Sequence, residues 1–158
     1  MNDMREIERI EKSIKGELPD TTKMVIIIKN VNNVEEVLNN AKQIMLCISK
    51  YAYRNDWPSD EEWKSILPKW FVESMTLKSE KDRDNDENLW HYESWIESMY
   101  HRAWEWYSSK IEGNTITIVL KMLNLPYIFE QFLYIFYSQG VPMSNITDKD
   151  DIYGETQH

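Results

Sequence analysis

The chain has 158 residues and a formal net charge of −9, with 42% hydrophobic and 28% charged residues. This length and balance predict one globular domain with a sizeable core and exclude an intrinsically disordered chain. The negative charge disfavours direct binding to nucleic acid, because phosphate groups repel an acidic surface, and favours a basic protein as partner.

The excess negative charge is concentrated in two parts of the chain. Residues 54–112 hold 14 acidic and 8 basic residues, a net charge of −6. Residues 141–158 hold 4 acidic residues and 1 basic residue, a net charge of −3, and the remaining residues cancel. An electrostatically steered partner is therefore expected to approach the middle or the end of the chain.

The start of the chain, MNDMREIERIEKSIKG, is charged and lacks the apolar segment of a signal peptide. The most apolar stretch, residues 116–137, is interrupted by Lys121, Pro126 and Glu130, which a membrane span rarely tolerates. Cys47 is the only cysteine, so no internal disulfide can form, and its apolar neighbours predict a buried side chain. A cytoplasmic protein without membrane contact is expected.

The first half of the chain predicts one strand among helices. In order, the patterns are a helix from Asp3 to Gly16, a buried strand at KMVIIIK (23–29), a helix over residues 34–53, a short helix with a capping box of Ser59 and Glu62, and a helix that Pro68 opens.

The second half begins with a polar loop over residues 77–88. A long aromatic helix is predicted from Leu89 to Lys110, then a strand at TITIVLKML (115–123) and an apolar helix closed by Gly140. Residues 141–158 are predicted to form a polar, flexible tail. The whole predicts a helix-rich α+β fold, with one domain over residues 1–140 and a small sheet.

The predicted aromatic helix would have two different sides. The core side would contain Tyr92, Trp95, Ile96, Met99, Tyr100, Ala103, Trp106 and Tyr107. The opposite stripe would contain Trp90, Glu93, Glu97, His101, Trp104 and Ser108. Two interpretations stay open: the two indoles pack under the segment WPSDEEW, or the stripe is an aromatic and acidic recognition patch, since tryptophan is enriched in binding hot spots.

Catalytic and metal-binding patterns are weak. Glu93, Glu97 and His101 have a spacing that could ligate a metal from one helix, but no second cluster accompanies them. An EF-hand-like spacing starts at Asp82, yet Glu87 stands where the loop needs glycine. The nucleotide-binding, zinc-protease and nucleophile motifs do not occur. The sequence therefore predicts no enzyme, no cofactor and no metal.

Four segments together resemble a known family. LPKWFVESM (67–75), WEWYSSK (104–110), TITIVL (115–120) and FEQFLYIFYSQG (129–140) are similar to bacterial toxin-immunity proteins, including those of contact-dependent growth inhibition. The resemblance covers roughly residues 57–140 and implies a cytoplasmic protein that binds and neutralises a cognate antibacterial toxin. Immunity proteins diverge most where they meet the toxin, so the resemblance transfers no binding residue.

The sequence thus predicts an inhibitor of a basic toxin, expected to be a nuclease domain. A phage or regulatory adaptor that binds another basic protein is the alternative. The residues predicted to bind the partner are Trp90, Glu93, Glu97, His101, Trp104, Asp82, Asp84, Asp86 and Glu87.

Overall fold

The computed structural model describes residues 4–12, 23–52, 54–77, 89–123 and 128–151. In this part of the chain the elements are α1 (Met4–Lys12), β1 (Lys23–Ile28), α2 (Val34–Tyr51), α3 (Asp60–Ile66), α4 (Lys69–Thr76), α5 (Tyr92–Tyr100), β2 (Trp104–Glu112), β3 (Thr115–Met122), α6 (Glu130–Tyr137), a 3₁₀ turn (Met143–Asn145) and β4 (Ile146–Asp151). The protein is an α+β domain, as the sequence predicts.

The four strands form an antiparallel sheet in the order β2-β3-β1-β4. The strand nearest the N-terminus is therefore central, with Ile26 opposite Ile118 on one side and Asp148 on the other. β2 and β3 form a hairpin whose two-residue turn holds Gly113 at a φ of 62°. Glycine adopts this positive φ without steric cost, which suits a tight hairpin turn.

The two faces of the sheet have different surroundings because side chains alternate along a strand. Met24, Ile26 and Ile28 of β1 join the main hydrophobic core beneath the helices. Val25, in contrast, belongs to a small cluster on the other face, with Val119 and Tyr107. The helical layer packs on the first face, and α2 and α6 contact each other within it.

Several predicted elements are confirmed. The predicted strand at KMVIIIK is β1, and the predicted helix over residues 34–53 is α2, ending at Tyr51. The capping box of α3 is present, with Ser59 as N-cap. Pro68 lies one residue earlier than predicted, at the N-cap of α4. Within the described residues, no helix is both long and apolar enough to cross a membrane.

The predicted aromatic helix over residues 89–110 was wrong in its second half. The helix spans only Tyr92–Tyr100, and the chain continues as strand β2 from Trp104. A strand period of two places Trp104 and Trp106 on the same face, whereas a helix would have placed them on opposite sides. Both indoles are accordingly fully buried against Phe132 of α6.

The predicted flexible tail was also wrong for the part of it that is described. Residues 146–151 form strand β4, which pairs with β1 along its whole length. The domain therefore extends beyond the predicted boundary at residue 140. An edge strand needs only one partner and little apolar surface, so the polar composition of ITDKDD concealed it.

Candidate functional site

A groove of about 400 Å³ lies between α5 and the segment that leads into α3. The residues that line it, called the acidic groove below, are Trp57, Asp60, Glu93, Ile96, Glu97 and Tyr100. Four of them come from α5, where Glu93, Glu97 and Tyr100 follow the spacing of one helical stripe. Ile96 is buried and forms the apolar floor.

Two hydrogen-bonded features fix the opposite wall of the acidic groove. The Ser59 hydroxyl accepts from the Glu62 backbone N–H at 3.2 Å, and the Ser59 backbone N–H donates to the Glu62 carboxylate at 2.9 Å. These bonds start α3 so that Asp60 is its first residue. The Tyr92 hydroxyl donates to the Asp60 carbonyl at 2.6 Å, which ties the start of α5 to the start of α3.

Aromatic rings form one end of the acidic groove. The Trp57 ring lies 5.2 Å from the Tyr100 ring and 5.0 Å from the Trp63 ring, measured between centroids. Trp63 is fully buried, so it anchors Trp57 to the core. Tyr100 is 53% exposed, although the helical pattern had placed it on the core side. The result is an aromatic surface that is held rigidly and remains open to solvent.

The carboxylates of the acidic groove are exposed and carry no compensating charge. Within the described residues, Asp60, Glu93 and Glu97 form no ion pair. Lys64 is nearby, but its ammonium group pairs with Glu61 at 3.0 Å. The local field is negative enough to act on a neighbouring group.

The Tyr92 hydroxyl lies close to these carboxylates, where it bonds to the Asp60 carbonyl. Burial raises the pKa of Tyr92, and the negative charges of Asp60, Glu61 and Glu93 raise it further, because all of them disfavour the phenolate. The pKa of Glu62 is lowered instead, because the hydrogen bonds that its carboxylate accepts from Ser59 favour the charged form.

The structure brings together only some of the residues predicted to bind a partner. Glu93 and Glu97 line the acidic groove, and the His101 ring lies beside it, 4.9 Å from the Tyr100 ring. Trp90 is half-buried against the core. The prediction for Trp104 was wrong, because this indole is 0% exposed within β2. Asp82, Asp84, Asp86 and Glu87 lie outside the described residues.

Sequence reasoning missed three residues of the acidic groove: Trp57, Asp60 and Tyr100. Trp57 and Asp60 belong to the segment DWPSDEEW. Its capping box predicts the start of a helix but does not indicate which of its side chains face solvent. Tyr100 is the last residue of α5, and its side chain is exposed although the helical pattern places it on the core side.

Metal-binding chemistry receives no support in the described part of the chain. No group of three or more histidine, cysteine, aspartate or glutamate side chains there could hold a metal ion. Most of the EF-hand-like spacing from Asp82 lies outside the described residues. Cys47 is half-buried rather than fully buried; its thiol lies 3.6 Å from the Ile66 carbonyl, and burial raises its pKa. A raised pKa favours the thiol over the nucleophilic thiolate.

A second charged cluster lies inside the domain. Glu6 of α1 and Arg102 form an ion pair with side-chain exposures of 1% and 3%. The Glu6 carboxylate also accepts from the Ser49 hydroxyl at 3.0 Å and from the Trp106 backbone N–H at 2.9 Å. Because these donors surround the carboxylate, the cluster is a structural connection rather than a site open to a ligand.

Comparison of the chain with protein families, with curated proteins and with solved structures finds no match.

Proposed function

We propose that this chain is a cytoplasmic inhibitory protein that binds and neutralises an antibacterial toxin, with the acidic groove as part of its binding surface. The observation that carries the proposal is the combination of an exposed Tyr100 ring with three carboxylates in one groove, none of which forms an ion pair with another described residue. Aromatic side chains set in a rigid surface are characteristic of binding hot spots.

The charge of the acidic groove favours a basic partner. A nuclease domain is the preferred partner, because its substrate cleft must attract phosphate groups and therefore carries positive charge. Carboxylates on a stable domain can occupy such a cleft in place of phosphates. Long-range attraction then accelerates association, and buried aromatic contacts slow dissociation. The resemblance of the sequence pattern over residues 57–140 to toxin-immunity proteins also supports this proposal.

Co-expression tests the proposal directly. The toxin candidate is the product of a gene that neighbours the gene for this chain, produced in a host together with the wild-type chain or with an empty vector. We expect growth inhibition by the candidate alone, rescue by this chain, and a complex that survives a pull-down. Loss of nuclease activity in the purified complex would establish the mode of neutralisation.

Matched variants connect the result to the acidic groove. Tyr100→Ala should weaken rescue and pull-down, whereas Glu130→Gln, an exposed carboxylate on α6, should not. The absence of any toxic neighbouring product, together with stable binding to another basic protein, would contradict the proposal and favour a phage or regulatory adaptor.

A further inference from the structure

We propose that the acidic groove is a receptor for a single arginine side chain supplied by the partner. The inference deepens the proposed function and rests on it only for the source of the arginine.

The positions of the charges suit a cation held between two walls. Glu93 and Glu97 lie one helical turn apart on α5, so their carboxylates project from the same wall. Asp60 lines the groove from the start of α3, and the buried Ile96 contributes an apolar side chain to its lining. A guanidinium group in this space would contact carboxylates on both sides and lie on an apolar floor, which suits its planar, weakly hydrated form.

The aromatic end of the groove is the second, independent observation. Several described rings in this protein already contact a cation: Tyr51 contacts Arg54, Tyr92 contacts Lys64, and Tyr107 contacts Lys23. Trp57 and Tyr100 contact none among the described residues. The exposed part of the Tyr100 ring can therefore contact a cation supplied by a partner, and such contacts strengthen as they lose water.

The two features favour arginine over lysine. Guanidinium can stack on a ring and bond to carboxylates in its own plane at the same time, whereas ammonium is a compact, strongly hydrated charge. The volume of about 400 Å³ is ample for one side chain. It is too small for a folded element, so the rest of the partner would rest on the rim.

The test uses small probes on the full-length protein. N-acetyl-arginine methylamide, the lysine analogue and the uncharged citrulline analogue are titrated separately while the Trp57 indole N–H signal is followed by NMR, with Trp57→Phe for assignment. We expect a saturable shift with the arginine probe, a weaker affinity for the lysine probe and no saturable shift with citrulline. Equal responses to arginine and citrulline, or tighter binding of lysine, would overturn the assignment.

Groove variants and a matched control complete the test. Tyr100→Ala and Glu97→Gln should each weaken arginine binding about two- to fivefold. Glu130→Gln, which removes the same charge elsewhere, should leave the affinity unchanged. The Glu97 and Tyr100 side chains are both exposed, so the variants are expected to fold, and thermal melts of each variant check this. Arginine binding that survives both groove changes would overturn the assignment.

The outcomes separate this inference from the proposed function. Arginine binding that depends on Tyr100, in a protein that neutralises no toxin, supports the groove assignment and removes the toxin as its source. Toxin neutralisation that Tyr100→Ala and Glu97→Gln leave intact, without arginine binding, overturns the assignment and removes the acidic groove from the binding surface, while the inhibitory function itself still stands.

Discussion

Glu6 and Arg102, separated by 96 residues in sequence, form a two-pronged ion pair in the interior of the domain, with both N···O distances at 2.8 Å. The same guanidinium donates to the Trp104 carbonyl at 2.9 Å. The pair thus joins α1 to the first residues of β2. Arg102 faces inward in the short connection between the end of α5 at Tyr100 and the start of β2 at Trp104.

Removal of one partner of this pair should be strongly destabilising. Glu6→Leu removes the carboxylate that pairs with the buried Arg102 guanidinium, and breaking a buried ion pair in this way typically costs about 3–5 kcal/mol of unfolding free energy. Glu6→Leu with Arg102→Met should recover part of the loss but not all, since the bonds from the Trp106 N–H and the Ser49 hydroxyl to the Glu6 carboxylate are still lost. Urea unfolding measures these changes. Glu112→Gln, which breaks the exposed pair with Lys110, should cost less than about 1 kcal/mol.

Trp90 and Trp104, which a continuous helix would place on one stripe, should differ in how much their removal destabilises the domain. Trp104→Ala removes a fully buried ring and should destabilise the domain by about 3–5 kcal/mol, as should Trp95→Ala and Trp106→Ala. Trp90→Ala should cost less, because this ring is only half-buried. Denaturant unfolding of the four variants checks the ranking. A stable Trp104→Ala protein would mean that residue 104 faces outward, as a continuous helix requires.

Tyr92 predicts a dependence of stability on alkaline pH. Its folded-state pKa is raised above the ordinary value of 10, so it contributes stability that is present below pH 10 and is lost as the pH rises above it. Tyr92→Phe should cost about 1 kcal/mol at pH 7 through the lost bond to Asp60. The difference in unfolding free energy between the wild type and Tyr92→Phe should become smaller above pH 10. A difference that stays constant up to pH 12 would contradict the raised pKa of Tyr92.

The exposed carboxylates on α5 should control how fast a basic partner associates. Glu93→Gln with Glu97→Gln should lower the association rate and reduce its salt dependence, with little change in stability. The matched control is Glu35→Gln with Glu36→Gln on α2, which removes the same charge from exposed positions away from the acidic groove. Stopped-flow association with the partner at several salt concentrations measures both. Equal changes of the association rate in the two double variants would mean that the rate depends only on the net charge of the protein.

Elements with one strong local signal were predictable from the sequence. The run of β-branched residues in β1 and the capping box at Ser59 each depend on residues close in sequence, and both are present. The carboxylates of the candidate site were predictable for the same reason. Glu93 and Glu97 lie four residues apart on a helix that does form.

The segment after Tyr100 was misread because its aromatic residues fit two periods. Trp104, Trp106 and Tyr107 are common in strands, and the two-residue turn at Gly113 and Asn114 is a hairpin signal that favours the strand. The inward position of Arg102, directly after the helix, is accompanied by an ion pair with Glu6, 96 residues away in sequence. No local pattern contains that contact.

The central position of β1 has a consequence for synthesis on the ribosome. This strand is completed among the first 28 residues, yet its partners are β3 and β4, the latter ending at Asp151. A nascent chain must therefore hold an isoleucine-rich segment without a strand partner until β3 (Thr115–Met122) has been translated, and with one edge unpaired until β4 follows. Such a segment is prone to aggregate when exposed. We expect co-translational chaperones to be important for the yield of this protein, and premature termination before β4 to produce insoluble fragments.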